Sequence, residues 1–492
     1  MKQDTVKKNF IFQILYQIVM LVLPLIISPI LTRRMGSESL GTYIYINGIA
    51  YYFIIFANLG IEKYGLRLIS KNKDNPDDLR KAFWSLYLVH IIFSLISILF
   101  YIGFILLFAK DDAAIYWICL IYVSSALFDI TWLFYGLETF KNVVIRNFIV
   151  KIISFSLLIA FVKGPEDLML YAFIDVGVSI LGNILLLPIA IKNIKPIKVG
   201  KKDLLVHIKP LLIFFISVVA STLYTVFDKT LIGLMTTKNN VAFYEYSNKI
   251  INVPKTFIAV VGTVLLPRAC NLFKNREFEE TNRYASYAYL VASAVGFGTI
   301  FGTIALADSF AVIYYGEEFA ECGKIIMALS PLPFIICMGD IFRNIYLIPQ
   351  EKDKEFVISI CLAAVFNVVL SLVLIPYLGI MGAVIGTIAA EVFATLIQAF
   401  CCRKNIILKD ITKSMILFAT VGAAMFGVIV LVKHFMPNTL VSLIVEFVIG
   451  ISTFGLLSLL VIFVFYKDFK NRLFSSVIKL FKHFKKKTEK VE

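Results

Sequence analysis

Five basic side chains, Lys151, Lys229, Lys249, Lys255 and Arg343, stand inside long apolar runs of the chain, away from their ends. A charge at the centre of a bilayer costs about 2.5–3.5 kcal/mol on insertion scales, so five facing lipid would cost on the order of 15 kcal/mol. Snorkelling or a neighbouring acid relieves any single one of them. A water-filled cavity relieves all five together, and cationic groups in a low-dielectric cleft attract anions. Spacing supports such a cavity. Glu245, Asn248, Lys249, Asn252, Lys255 and Thr256 recur at three- and four-residue intervals, which places them on one face of a helix. Shorter polar stripes are formed by Gln13, Gln17, Pro24 and Ser28, by Asn47, Tyr51 and Asn58, and by Ser217, Ser221, Tyr224 and Asp228. A polar stripe can simply bind membrane helices together, but stripes on the first, second, seventh and eighth apolar runs fit a shared hydrophilic cleft better.

Acids accompany these bases. Asp129, Asp175, Asp228, Asp340 and Glu391 also lie within apolar runs. Asp228 adjoins Lys229, and Asp340 precedes Arg343 by one helical turn, so ion pairing is one reading for both. Intramembrane carboxylates without a basic partner suit proton or sodium coupling. Asp129 and Glu391, which have no basic residue one turn away in their own runs, are the first candidates, followed by Asp340 and Asp228. No metal cofactor is expected. The four histidines do not cluster, and the seven cysteines form neither a CxxC pair nor a disulfide framework.

The elements that must position these groups follow from composition. The 492 residues are 59% hydrophobic and 16% charged, with a mean hydropathy of +0.85, far outside the range of soluble domains. The apolar residues are gathered into about 14 runs of bilayer-crossing length: 10–31, 40–61, 82–109, 113–136, 143–162, 167–191, 210–235, 241–266, 285–307, 324–348, 355–375, 380–402, 413–432 and 441–465. An all-α integral membrane protein is therefore expected. Most of the 48 Lys and Arg residues fall in segments that share a side with the N-terminus, which puts both termini in the cytoplasm. The net charge of +15 is thereby read as topology signals and contact with anionic lipids, and no nucleic-acid partner is expected.

A weak internal repeat divides the chain. Gly41-Thr-Tyr43-Ile-Tyr45-Ile-Asn47-Gly-Ile49 returns in register as Ala242-Phe-Tyr244-Glu-Tyr246-Ser-Asn248-Lys-Ile250. The spacing predicts two parallel six-helix bundles, an N-lobe over 1–200 and a C-lobe over 201–403. Two appended helices (404–466) and a basic cytoplasmic tail (467–492) follow. Such repeats are a feature of transporters. Pro24, Pro29, Pro210, Pro254, Pro331 and Pro333 are expected to bend or interrupt their helices.

Particular stretches carry a family likeness. Ser28 to Gly41 (SPILTRRMGSESLG) and Leu59 to Arg67 (LGIEKYGLR) resemble the ends of the first two helices of Wzx-type polysaccharide flippases. Asp129 to Glu138, Tyr224 to Gly233, Gly262 to Arg268, Leu347 to Lys354 and Gly379 to Glu391 continue the match in the same order. One departure is Phe214-Phe215-Ile216-Ser217, where relatives often carry a proline. The resemblance implies membership of the multidrug/oligosaccharidyl-lipid/polysaccharide exporter superfamily, with a V-shaped pair of bundles working by alternating access. It implies movement of a polyprenyl-pyrophosphate-linked sugar repeat from the inner to the outer leaflet of a bacterial cytoplasmic membrane, with polysaccharide polymerase and glycosyltransferases as partners. On this reading Lys249 and Lys255, with Lys151 and Arg343, would bind pyrophosphate or acidic sugars. Asn47, Asn248 and Asn252 would line the sugar path. Arg33, Arg34, Arg67 and Arg268 would guard the cleft mouths, or serve as topology anchors. A multidrug exporter, a flippase for the peptidoglycan precursor and a membrane glycosyltransferase or polymerase are the rival readings. The in-span bases weigh against the first, and the absence of a long extramembrane loop weighs against the enzyme.

Overall fold

Within hydrocarbon no water is available to satisfy the backbone, so apolar runs of this length close their hydrogen bonds inside helices. The computed structural model describes residues 3–406 and 408–466, without the side chains of residues 3–21, 193, 217, 220, 221, 223–225 and 257–264. Gln13, Gln17, Ser217, Ser221, Tyr224, the first part of the Gly262 motif and the basic tail over 467–492 lie outside the described groups. Every described element is helical. In order they are α1 (Gln3–Asn58), α2 (Ile61–Asn72), α3 (Pro76–Phe108), α4 (Ala113–Ser124), α5 (Thr131–Gly136), α6 (Phe140–Phe161), α7 (Leu168–Ile184), α8 (Leu187–Asn193) and α9 (Lys201–Thr225). The second half holds α10 (Phe227–Met235), α11 (Lys238–Lys274), α12 (Phe278–Phe310), α13 (Glu321–Leu329), α14 (Leu332–Ile341), α15 (Asp353–Leu378), α16 (Ile380–Cys402), α17 (Leu408–Phe435) and α18 (Leu440–Phe465).

Among the described residues, 11 stretches are long and apolar enough to cross a membrane. One of them, Val22–Asn72, takes in the first two expected spans. They are joined across Gly36, whose φ of 72° and ψ of 172° break the helix and lie where glycine is at ease. The expected seventh span falls on α9 and α10, and the eighth on α11. Proline acts as an interrupter in the tenth: Pro331 caps α14 and Pro333 lies in its first turn, just after α13 ends. Pro24 and Pro29 sit inside α1, Pro210 inside α9 and Pro254 inside α11.

The chain forms two compact units. The first comprises residues 1–246, 314–319 and 364–386. One of its cores joins α2, α3, α5, α8 and α9, with Phe83, Leu86, Trp132, Leu133 and Ile69 fully enclosed. The motif segments Leu59 to Arg67 and Asp129 to Glu138 thus pack in one cluster. The second unit comprises residues 247–313, 320–363 and 387–492. Here α12 packs along α17, α18 and α14, with Phe418, Tyr289 and Tyr346 among its buried side chains.

Two local features of the first unit yield measurable consequences. Gly41, where α1 begins its second half, approaches the chain so closely that a Cβ there would lie 1.8 Å from the Lys238 carbonyl oxygen. Gly41→Ala must therefore displace backbone. It is expected to destabilise the protein by about 1–3 kcal/mol, read as a lower melting temperature in detergent; an unchanged melting temperature would contradict this packing. At the start of α9, Asp203 accepts hydrogen bonds from Lys81 at 2.8 Å and from the Gly200 amide at 3.1 Å. The Lys81 hydrogen bond first, and the Gly200 amide next, hold its carboxyl below the usual range. A depressed carboxyl stabilises the fold above the unfolded value of about 3.9, and that contribution is lost as pH falls through the lower folded value. Asp203→Asn should melt below the native protein at pH 7, and the gap should close as pH drops below about 4.

Candidate functional site

Among the described residues, α11 carries a run of polar side chains over the expected eighth span. Its helical repeat brings Asn248, Lys249, Asn252 and Lys255 to one face, as the spacing requires. Asn252 is exposed, and Lys249 and Lys255 are half-buried. Glu391 on α16 is the acid that acts electrostatically on Lys255. The basic neighbour that Glu391 lacks in its own helix is thus supplied from another. Thr256 closes the stripe by donating to the Asn252 carbonyl at 2.9 Å.

Other in-span charges are placed by specific partners. Lys229 Nζ reaches Glu245 Oε2 at 2.8 Å, with both side chains 23% exposed. Arg343 Nη2 reaches Asp340 Oδ1 at 2.5 Å, the ion pair that their spacing offered. Arg343 sits in a π-helical turn over Phe342–Leu347 that follows α14, with its guanidinium 5.3 Å from the Phe356 ring centre. Lys151 is exposed on α6. Asn47 is half-buried, and its Oδ1 is enclosed without a hydrogen-bond partner among the described residues.

The carboxylates divide by environment. Asp228 is buried at 2% exposure and accepts from Tyr244 OH at 3.0 Å, with Ser371 Oγ standing 3.4 Å from its other oxygen. Asp175 accepts from Tyr43 OH at 2.6 Å. Tyr43 and Tyr244 occupy equivalent positions of the internal repeat, so each repeat holds an intramembrane aspartate through the same tyrosine. The sequence contained that signal in the register of the repeat, but neither tyrosine stood out by type alone. Asp129 takes hydrogen bonds from Thr131 N at 3.0 Å and Thr131 Oγ1 at 2.6 Å, ordering the turn into α5.

The arginines of the motifs take four different positions. Arg34 Nη1 donates to the Ile159 and Val162 carbonyls, both at 2.7 Å, and so caps the C-terminal end of α6. Arg33 is exposed and packs beside Gly316. Arg67 lies over Phe214 at 5.2 Å and beside Tyr64 at 5.7 Å, and Arg268 over Tyr284 at 5.5 Å. Arg146 escaped the sequence reading because it lies near the start of its span. It donates to Asn183 Oδ1 at 3.0 Å, and Asn183 in turn donates to the Ser125 carbonyl at 3.2 Å.

The Lys229–Glu245 bridge is testable by itself. Lys229→Ala, Glu245→Ala and the double variant should show a coupling of about 0.5–3 kcal/mol in a double-mutant cycle of thermal stability. Additive effects would mean that the bridge contributes nothing.

Comparison with known proteins places this arrangement. Residues 6–273 match the family model described as polysaccharide biosynthesis protein. A protein of Shigella dysenteriae that bears the name O-antigen transporter is 26% identical over 396 residues, covering 79% of this chain and 98% of its own. A protein of the same name in Escherichia coli is 23% identical over 413 residues, covering 82% and 97%. Among solved structures, the lipid II flippase MurJ in an inward closed conformation superposes with a TM-score of 0.72 at 18% identity, over 94% of this chain and 99% of that one. An inward-facing multidrug transporter of the MATE family and MOP superfamily gives 0.57 at 15% identity, over 79% and 94%. The relatives are transporters and flippases, not catalysts, and the structural matches share the all-helical fold. The chain is a multi-pass bacterial membrane protein that belongs to the polysaccharide biosynthesis protein family.

Proposed function

We propose that this protein is a flippase that carries a polyprenyl-pyrophosphate-linked oligosaccharide from the inner to the outer leaflet by alternating access, for surface polysaccharide assembly. The observation that carries this reading is the α11 face, where Lys249 and Lys255 stand with Asn248 and Asn252 on a membrane helix. A pyrophosphate bears the charge that such lysines favour in a low-dielectric setting. Sugar hydroxyls find donors and acceptors in amides such as those of Asn248 and Asn252, and Asn47 is assigned to the sugar path from the sequence alone. Lys151 and Arg343 are assigned secondary anion contacts. Arg33, Arg67 and Arg268 are assigned to the cleft mouths, whereas the role assigned to Arg34 is the cap on α6. The buried Asp228, held by Tyr244, is the preferred coupling carboxylate for a proton or sodium gradient, with Asp340, Asp129 and Glu391 after it. The names of the two relatives support a polysaccharide-linked cargo. Flipping of a peptidoglycan precursor would use the same chemistry with a different headgroup.

The test is a thermal-stability titration of the purified protein with a polyprenyl-pyrophosphate oligosaccharide, with lipid II and with a lipophilic cation. Selective stabilisation by the first lipid is expected, with apparent affinity about tenfold weaker in Lys249→Ala and in Lys255→Ala, a loss of about 1.4 kcal/mol. Stronger stabilisation by lipid II would transfer the assignment to the peptidoglycan precursor. Stabilisation by the cation alone would contradict the flippase reading and the role of both lysines.

A further inference from the structure

A second polar site lies elsewhere in the second unit, where the ends of α12, α17 and α18 meet. A pocket of about 370 Å³ is lined there by Asp308, Ser309, Lys433, Asn438 and Glu446, with Val312 and Met436 as apolar wall. Asp308 lies in the last turn of α12 and Lys433 in the last turn of α17, while Glu446 projects from the second turn of α18. Glu446 is 3% exposed, and its Oε2 is fully enclosed without a hydrogen-bond partner among the described residues. An ionised carboxylate left in that condition costs free energy unless something positive meets it. The obvious counter-charge, Lys433, forms no ion pair within 4 Å among the described residues. Lys324, the other basic group acting on Asp308, is held by Glu321 at 2.8 Å.

We propose that this pocket is a binding site for a small, hard monovalent cation of the sodium class, held by Glu446 and Asp308 with oxygens of Ser309 and Asn438. Two carboxylates against one ammonium leave the lining one negative charge in excess, which a single monovalent ion neutralises. Every remaining polar group offers oxygen, the ligand atom of hard cations. No group of three or more His, Cys, Asp or Glu side chains converges among the described residues, which disfavours a zinc-type ion. The negative end of the α17 dipole adds to the attraction. Placed by the loop charges on the side opposite the Lys-rich segments, the pocket takes its ion from outside the cell. The site stands apart from the lipid-binding face of α11 and is tested without any lipid substrate.

The experiment is a thermal-stability titration of the full-length protein with NaCl, with KCl and with choline chloride at constant ionic strength. The native protein should be stabilised saturably by the inorganic cation beyond choline. Asp308→Asn, at an exposed position that tolerates change, should weaken the apparent affinity at least tenfold, and Glu446→Gln should abolish the response. Equilibrium binding of radioactive sodium to the Asp308→Asn protein gives a second readout should Glu446→Gln fail to fold. A response equal to that with choline, or one that survives both substitutions as a site at Asp228 would, overturns the assignment.

Discussion

Hydrocarbon cannot solvate a peptide group or an ion, and each part of this structure answers that condition in its own way. The backbone answers it by closing into helices. Long polar side chains near helix ends answer it by capping, as Arg34 does with the two terminal carbonyls of α6. Charges further in answer it by pairing. Lys229 with Glu245 and Arg343 with Asp340 are held at contact distance, so their residual exposure reflects geometry rather than lack of partners. The polar face of α11, where Lys255 stands in the field of Glu391, is where the proposed transport chemistry is placed.

The internal repeat acquires chemical meaning from its tyrosines. Tyr43 and Tyr244 stand at the same register position and each donates to an aspartate drawn from another helix, Asp175 in one case and Asp228 in the other. A phenol is well suited to this task, because its ring packs in an apolar setting while its hydroxyl satisfies the carboxylate. The two halves differ in what surrounds the pair. Asp228 lies beside the hydroxyl of Ser371, whereas the Tyr43 ring stacks edge-on against Tyr171 at 4.9 Å. The duplicated motif therefore supports two acids in non-equivalent surroundings.

Much of this was legible in the sequence because membrane helices announce themselves by length and hydropathy, and polar stripes by a period near 3.6. The all-helical class and the α11 stripe follow from those signals directly, whereas the family was read from motif stretches such as Ser28 to Gly41 and Leu59 to Arg67. The pairing of Asp340 with Arg343 was legible too, since one turn separates them. Pairings between helices were not. Glu391 lacks a base in its own span, yet Lys255 acts on it from α11, and Asp129 turns out to order the chain entering α5 through Thr131. Such contacts depend on which helices are neighbours, and composition carries no information about that. Glu446 was passed over for the same reason: its enclosure arises only where α18 meets α12 and α17.

The central claim is net movement of a lipid-linked oligosaccharide between leaflets, and a leaflet-exchange assay tests it most directly. The protein would be reconstituted into liposomes carrying a fluorescent polyprenyl-pyrophosphate oligosaccharide in both leaflets, and a membrane-impermeant reductant would be added outside. The account predicts that the protected inner-leaflet fraction is lost in the presence of the native protein and largely retained with Lys255→Ala. Protection equal to that in protein-free liposomes, with the native protein folded and correctly inserted, would contradict it.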